Sequence, residues 1–365
     1  MLKSRVKKIF ENLESKPDLI IIKNSGESFI DDNFFYVTGL EQGLFEGCTA
    51  VFFPDGKTDL IVSELESELA YNSSADVSIY KSTADYQNIL KNLVGSLNKI
   101  GVNFNSITYK DLQKLKSIFS NPDFLDVSQA LSKSRAVKEE DEINKIKKAV
   151  KIADSVVKKI PDIVHDGMKE FELAAEIEYL MMKNGADKPA FDTISSFGRN
   201  SSQPHYTHGD TVLNSGDFVL CDFGACFKKY NSDITRTFVF GRPSEKQEKM
   251  HMVVKSAQEK AFEKIRPGVK GKEIHNVVES FINTSDFTGR FIHSTGHSLG
   301  LAVHDGGVGF GPESDIELLE NMVLTVEPGI YIPGFGGVRI EDDILVTKNG
   351  LEILTKSNRD LIGIS

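Results

Sequence analysis

Two aspartates in otherwise apolar runs pose the first chemical question. Asp222 lies in Asp217-Phe-Val-Leu-Cys-Asp222-Phe-Gly224, and Asp233 in Ser232-Asp233-Ile-Thr-Arg-Thr-Phe-Val-Phe240, with a polar turn through Lys228, Lys229, Tyr230 and Asn231 between them. Both runs read as strands of one hairpin. On the second, period-two alternation puts Asp233, Thr235, Thr237 and Val239 on one face and Ile234, Arg236, Phe238 and Phe240 on the other. An aspartate inside an apolar strand is costly unless it is paired, solvated or bound to a metal, and two on adjacent strands ask for a cation. Three later segments add to the pair. His293-Ser-Thr-Gly-His297-Ser-Leu-Gly-Leu-Ala-Val-His304-Asp305 sets three histidines among glycines, while Thr325-Val-Glu327-Pro-Gly-Ile-Tyr331 and Gly337-Val-Arg339-Ile-Glu341-Asp-Asp343 each place a glutamate on or just after an apolar strand.

The elements that must position these groups follow from periodicity. A small mixed α/β domain is expected over 1–131, with strands at 19–23, 34–38, 49–53 and 58–62, the last two joined by Pro54-Asp55-Gly56. Helical spacing is read over 63–72 and through Ile89, Leu90, Leu93, Leu97 and Ile100, closed by Gly101. The second domain, 132–365, opens with a polar, basic run and then Glu139-Glu140-Asp141-Glu142, acidic residues that suit a helix N-terminus. Helices are expected from there to Pro161, over 169–183, over 244–266 and over 272–283, with a Gly-, Ser- and His-rich loop at 195–210 and strands at 323–327, 338–347 and 351–354.

Composition narrows the partners. Forty-three basic against fifty-three acidic side chains leave a net charge of -10, which argues against a nucleic acid or an anionic membrane as the main partner. The three cysteines, Cys48, Cys221 and Cys226, form no CxxC pair, so thiolate zinc binding is not expected and a reducing, cytoplasmic setting is. The N-terminal run lacks the apolar core of a signal peptide, and no apolar run is long enough to span a bilayer. The 195–200 segment has no P-loop lysine. Cys221 reads as core, His208 as a loop histidine, and Asp305, Asp342 and Asp343 as capping or supporting groups.

These segments together resemble the metallopeptidases of the creatinase and methionine-aminopeptidase, or pita-bread, fold, and most closely the proline-specific prolidases and Xaa-Pro aminopeptidases. The resemblance spans the chain. Asn33-Phe-Phe-Tyr-Val-Thr-Gly39 is similar to the smaller N-terminal domain of that family, implying an α+β protein with a pita-bread catalytic domain behind a domain for oligomerisation and substrate access. The family's five metal ligands fall on Asp222, Asp233, His297, Glu327 and Glu341, with Asp222 and Glu341 bridging, Asp233 on one metal, and His297 and Glu327 on the other. Four carboxylates would be neutralised by two divalent ions, and one imidazole among oxygen donors suits Mn, Co, Fe or Zn better than Ca. By the same resemblance His205 and His304 contact substrate and stabilise the oxyanion, and His293 lines the proline pocket or supports the ligands. Glu327 shuttles the proton, and Arg339 holds the second glutamate or the substrate. The implied activity is hydrolysis of the bond before proline by a homodimer, either as an Xaa-Pro dipeptidase or as an Xaa-Pro aminopeptidase on longer peptides. A methionine aminopeptidase, a creatinase-like hydrolase working without metal and a non-catalytic peptide-binding module are the remoter alternatives.

Overall fold

The computed structural model describes residues 2–119 and 122–365, and the chain divides into two compact units, Met1–Arg135 and Ala136–Ser365. Both mix helices with sheets, an α+β organisation. The first unit runs α1 (Leu2–Glu11), β1 (Leu19–Lys23), α2 (Asp32–Thr38), β2 (Thr49–Phe52), β3 (Thr58–Ser63), α3 (Ser67–Ala70), β4 (Asp76–Tyr80), α4 (Thr83–Val94), β5 (Lys99–Val102), α5 (Tyr109–Ile118) and β6 (Asp123–Asp126), followed by α6 (Ser128–Ala136). Its strands form one sheet in the order β4-β3-β2-β1-β5-β6. The uninterrupted apolar run of β1 can only sit inside such a sheet, antiparallel to β2 and parallel to β5.

Three expectations for this unit are corrected. Residues 34–38 are the buried body of α2, not a strand, because Asp31 caps the helix by accepting from the Asn33 amide and Gly39 closes it with φ of 70°. A short, wholly apolar run carries no period by which to tell the two apart, so the caps decide. The helix read through Ile100 stops at Gly95 (φ 59°), and 99–102 returns as β5. The helix expected over 63–72 is a short 3-10 turn followed by the four residues of α3. Strands β4 and β6 and helix α5, all weakly patterned, add to the elements that periodicity marks.

The second unit runs α7 (Glu140–Val157), α8 (Ile160–Ile163), α9 (Glu170–Lys183), β7 (Lys188–Pro189), β8 (Ile194–Phe197), β9 (Phe218–Phe223), β10 (Ala225–Phe227), β11 (Tyr230–Asn231), β12 (Ile234–Phe240), α10 (Glu245–Lys264), α11 (Gly271–Asn283), β13 (Val323–Val326), β14 (Gly329–Ile332), β15 (Gly336–Arg339), β16 (Asp342–Thr347), β17 (Gly350–Ile353) and β18 (Gly363–Ile364). The expected hairpin forms, with β9 antiparallel to β12 in a sheet ordered β18-β12-β9-β8. A second sheet, β13-β16-β17, and the β14-β15 ribbon complete the site's frame, and α10 and α11 cover their apolar faces through Met250, Val254, Ala257, Ile274 and Val278.

Two boundaries in this unit differ from expectation. Helix α7 ends at Val157, and Pro161 occupies the first turn of α8, where its missing N–H costs nothing. The strand expected over 338–347 breaks at Ile340-Glu341 into β15 and β16. The break frees the Glu341 amide to donate to the Thr235 carbonyl (3.1 Å), drawing Glu341 against the hairpin.

Candidate active site

The hairpin register sets the first two carboxylates. Asp222 on β9 faces Thr235 on β12, and cross-strand partners share a face, so Asp222 joins the Thr235 side that continues back to Asp233. The Asp233 amide donates to Asp343 Oδ2 (3.0 Å), tying the head of β12 to β16. Glu327 follows β13, and its amide donates to the Thr295 carbonyl (2.8 Å), while the Thr325 amide donates to the His297 carbonyl (2.8 Å). The histidine-rich segment is thereby laid alongside β13. Four separate stretches of chain bring Asp222, Asp233, His297, Glu327 and Glu341 to one wall of a cleft of about 1060 Å³.

Within it, one ligating atom from each of Asp233, His297 and Glu341 lies within 4.8 Å of the others. His297 Nε2 sits 3.6 Å from Asp233 Oδ2 and 3.6 Å from Glu327 Oε1. Its Nδ1 is 3.3 Å from the Ser298 carbonyl, which can only accept, so the proton belongs on Nδ1 and the Nε2 lone pair faces the carboxylates. Burial, with His304 as a lesser cause, lowers His297 to about 4, keeping the ring neutral. Burial, then the neighbouring carboxylates, raises Asp233 and Glu341 well above the usual range. Burial raises Glu327 to about 8 against the opposing effect of Arg339. Asp222 Oδ1 and Asp233 Oδ1 are buried and accept no hydrogen bond. Orphaned acceptors and mutually repelling carboxylates beside an imidazole lone pair are the donor set that a divalent cation satisfies.

Hydrogen bonds fix the surroundings. Arg339 donates to Asp222 through Nη2, to Thr235 Oγ1 through Nε (3.0 Å) and to Tyr331 Oη through Nη1 (2.8 Å). The guanidinium thus meets Asp222 directly and Glu341 only by way of Thr235, whose hydroxyl donates to Glu341 Oε2 (2.6 Å). His293 Nδ1 is 2.8 Å from the Ser294 carbonyl, so its Nε2 accepts the Tyr331 hydroxyl at 2.9 Å. Burial and Arg339 lower His293 to about 3. His205 and His304 line the cleft from exposed loop positions, and the His304 ring packs edge-on to His297 with centroids 4.0 Å apart. His208 is turned away, its Nδ1 3.1 Å from the Thr193 carbonyl.

Residues 144–348 match the family model of metallopeptidase family M24, and residues 5–137 match that of the creatinase/prolidase N-terminal domain. The chain belongs to metallopeptidase family M24. It is 38% identical over 365 residues, 99% of each sequence, to an Xaa-Pro dipeptidase of Pyrococcus horikoshii. It is 40% identical over 331 residues, 90% of this chain and 92% of the relative, to an Xaa-Pro dipeptidase of Pyrococcus furiosus. Among solved structures, the prolidase of P. horikoshii superposes with a TM-score of 0.90 at 38% identity, covering 98% of this chain and 100% of the other. An X-Pro aminopeptidase of Thermotoga maritima gives 0.91 at 32% identity, with coverage of 99% and 100%. The two-unit α+β architecture is therefore the creatinase-type domain followed by the M24 pita-bread domain, and M24 membership implies divalent metal ions.

Several supporting residues of this M24 site escape sequence reasoning. Gln258 on α10 donates from Nε2 to the Val326 and Ile340 carbonyls (2.9 and 3.2 Å) and to Asp342 Oδ2 (2.9 Å), and Arg236 on the outer face of β12 donates to the Glu341 carbonyl and to Asp342 Oδ1. Asp342 thus braces the strand break from behind. Lys138, fully buried, pairs with Asp305 (3.6 Å) next to His304, and Asn231 Nδ2 donates to the Gly300 and Leu301 carbonyls of the same turn (3.1 and 2.9 Å). Tyr331 stands inside the Glu327 motif, yet nothing in its spacing marks it as the link between His293 and Arg339. None of these carries a legible signal: Lys138 ends the basic stretch that precedes the capped helix α7.

Proposed function

We propose that this chain is a dinuclear-metal exopeptidase that hydrolyses the peptide bond before proline, an Xaa-Pro dipeptidase. The observation that carries it is the convergence of Asp233, His297 and Glu341, joined by Asp222 and Glu327, on one wall of the cleft with two buried carboxylate oxygens left without a donor. Those five side chains would hold two divalent ions drawn from Mn, Co, Fe or Zn. Bound there, the ions acidify water and polarise the scissile carbonyl.

The chain's own residues do the rest. Glu327 takes a proton from the attacking water as oxygen bonds to the carbonyl carbon, then gives it to the proline nitrogen as the C–N bond breaks. His205 and His304 donate to the carbonyl oxygen as it gains charge. Arg339 holds the Asp222 carboxylate in place, Tyr331 accepts from Arg339, and the neutral His293 fixes the Tyr331 hydroxyl. Phe191, Ile194, Pro204 and Val303 supply an apolar wall suited to a proline ring.

One observation favours a second reading. Among the described residues lining the cleft, Arg339 is the single Lys or Arg side chain, and it is already engaged by Asp222, Thr235 and Tyr331. A dipeptidase must receive the proline carboxylate, whereas an Xaa-Pro aminopeptidase on longer peptides has no such need. The reading also includes a homodimer, to which the exposed Leu44, Leu65 and Tyr71 offer apolar surface, and a reducing cytoplasm, in keeping with three free buried cysteines. A monomeric mass in solution contradicts the dimer.

Turnover by the Mn-loaded chain of Leu-Pro, Leu-Pro-Gly and Leu-Leu-Gly tests the proposal. Leu-Pro cleaved fastest supports the dipeptidase, and Leu-Pro-Gly cleaved fastest supports the aminopeptidase. Failure on both proline peptides in a metal-loaded chain overturns the function.

A further inference from the structure

His205 reaches the cleft from a loop with little regular structure, and one buried carboxylate outside the cleft holds that loop. Glu170, the first residue of α9, is 0% exposed. Its Oε1 accepts from the Phe197 amide (2.8 Å) and from Asn200 Nδ2 (2.9 Å), and its Oε2 accepts from the Tyr206 hydroxyl (2.7 Å) and the Gly209 amide (3.0 Å). These donors span the loop from the last residue of β8 to just beyond His205. Tyr206, the immediate neighbour of His205, is gripped again by Asn200 Nδ2 (3.2 Å), which also donates to Thr211 Oγ1 (2.9 Å). Gly209 leaves room for this contact, since a Cβ there would meet Tyr206 Oη at 2.5 Å and displace it. The anchor itself is fixed to the same loop by main-chain bonds: the Glu170 amide donates to the Thr211 carbonyl (3.2 Å) and the Phe171 amide to that of Gly209 (3.1 Å).

Two features explain why a carboxylate occupies this place. All four partners are donors, so only a group with two acceptor oxygens can satisfy them together; glutamine presents an NH2 to at least one. A carboxylate at a helix N-terminus is favoured by the helix dipole, and among the described residues no cation pairs with Glu170. The loop is also tied to the metal wall, because β8 pairs with β9 with Ile194 opposite Asp222. Glu170 thus grips the loop that carries His205 at four points, next to the strand pair that carries Asp222.

We infer that Glu170 is a positioning residue for this site: it holds the 197–209 loop in the conformation that presents His205 to the reacting carbonyl. This rests on the peptidase reading above. Glu170 touches no reacting atom, and its effect should pass through His205.

A double-mutant cycle in the Mn-loaded chain on the better of Leu-Pro and Leu-Pro-Gly tests it. Glu170→Gln should lower kcat about 10- to 100-fold, as small misplacements of a catalytic group do. In a His205→Ala background the same change should cost less than about twofold, because the group it positions is gone. Equal losses in both backgrounds overturn the inference in favour of a merely structural role. Hydrogen exchange in the metal-free chain gives a readout that needs no activity. Glu170→Gln should speed exchange of the 195–209 amides about tenfold while leaving β9 and β12 unchanged. Unchanged exchange at 195–209, or faster exchange throughout, overturns it as well. If Glu170→Gln does not fold, Tyr206→Phe removes one of the four bonds, and the same non-additivity with His205→Ala, on a smaller scale, is required. A wild-type chain that cleaves neither proline peptide defeats the proposed function alone, and the exchange experiment still decides the role of Glu170.

Discussion

Asp222, Asp233 and Glu341 lie on or beside strands whose ladders place them, whereas His205 and His304 hang from exposed loops and depend on anchors elsewhere in the second unit. For the carboxylates, position is inexpensive and charge is the difficulty. Burial and mutual repulsion raise the protonation of Asp233 and Glu341, and buried oxygens of Asp222 and Asp233 remain without donors. For the histidines position is the difficulty. Each loop is met by a buried group, Glu170 behind His205 and the Lys138–Asp305 pair with Asn231 behind His304. A site built this way should lose metal when strand residues change and lose rate when anchors change.

The largest expected effect that probes this contrast is on the His304 anchor. Lys138→Met removes the lysine paired with the buried Asp305, and losing one partner of a buried ion pair costs about 3–5 kcal/mol, measured as urea denaturation of the metal-loaded chain. Combining it with Asp305→Asn should recover part of that loss, because a neutral amide oxygen can still accept from the Leu301 amide (3.2 Å in the native turn). The number of ions bound should stay at the wild-type value in both. Loss of an ion would erase the distinction between wall and loop.

Next come the histidines themselves. His205→Ala and His304→Ala should each reduce kcat by about 10²- to 10³-fold, the usual consequence of removing one donor to a developing oxyanion, with metal content unchanged. A change confined to KM would reassign them to substrate binding.

The third effect, spread over several pH units, is a pH dependence of stability in the metal-free chain. Asp233 and Glu341 are raised chiefly by burial and then by neighbouring carboxylates, and Glu327 is raised by burial from 4.5 to about 8. A carboxyl with a raised folded value stabilises the fold below its unfolded value and loses that contribution as pH climbs through the folded one. The metal-free chain should therefore weaken between about pH 4.5 and 8, by at most about 1.4 kcal/mol per pH unit for each group titrating. Mn loading should reverse the trend, since the ions require deprotonated ligands. Urea midpoints at pH 5, 6, 7 and 8 with and without Mn check both signs.

Much of the frame was legible because its signals are local. Alternation in 232–240, the acidic run opening α7, and Asn184-Gly185 after α9 each announce an element within a few residues. What misled was also local. The run Phe34-Phe35-Tyr36-Val37 is apolar on every side and says only that it is buried, and Leu97 and Ile100 continue a helical spacing that Gly95 has already ended. At the site, the aspartate, histidine and glutamate motifs assemble on one cleft, but their supports do not show in sequence. Glu170 looks like an ordinary acidic first-turn residue, Gln258 like one more polar position on an amphipathic helix, and Thr235 like a strand residue. Each acts across 27 to 106 residues of chain, a separation over which no spacing rule reads.

Metal stoichiometry in three chains tests the central claim most directly. The account predicts two Mn ions per chain for the wild type, one for Asp233→Asn, and loss of both for Asp222→Asn, whose carboxylate is assigned to both ions. A wild-type chain that binds one ion or none, or equal loss in the two variants, would contradict the assignment of this wall as a dinuclear site bridged by Asp222.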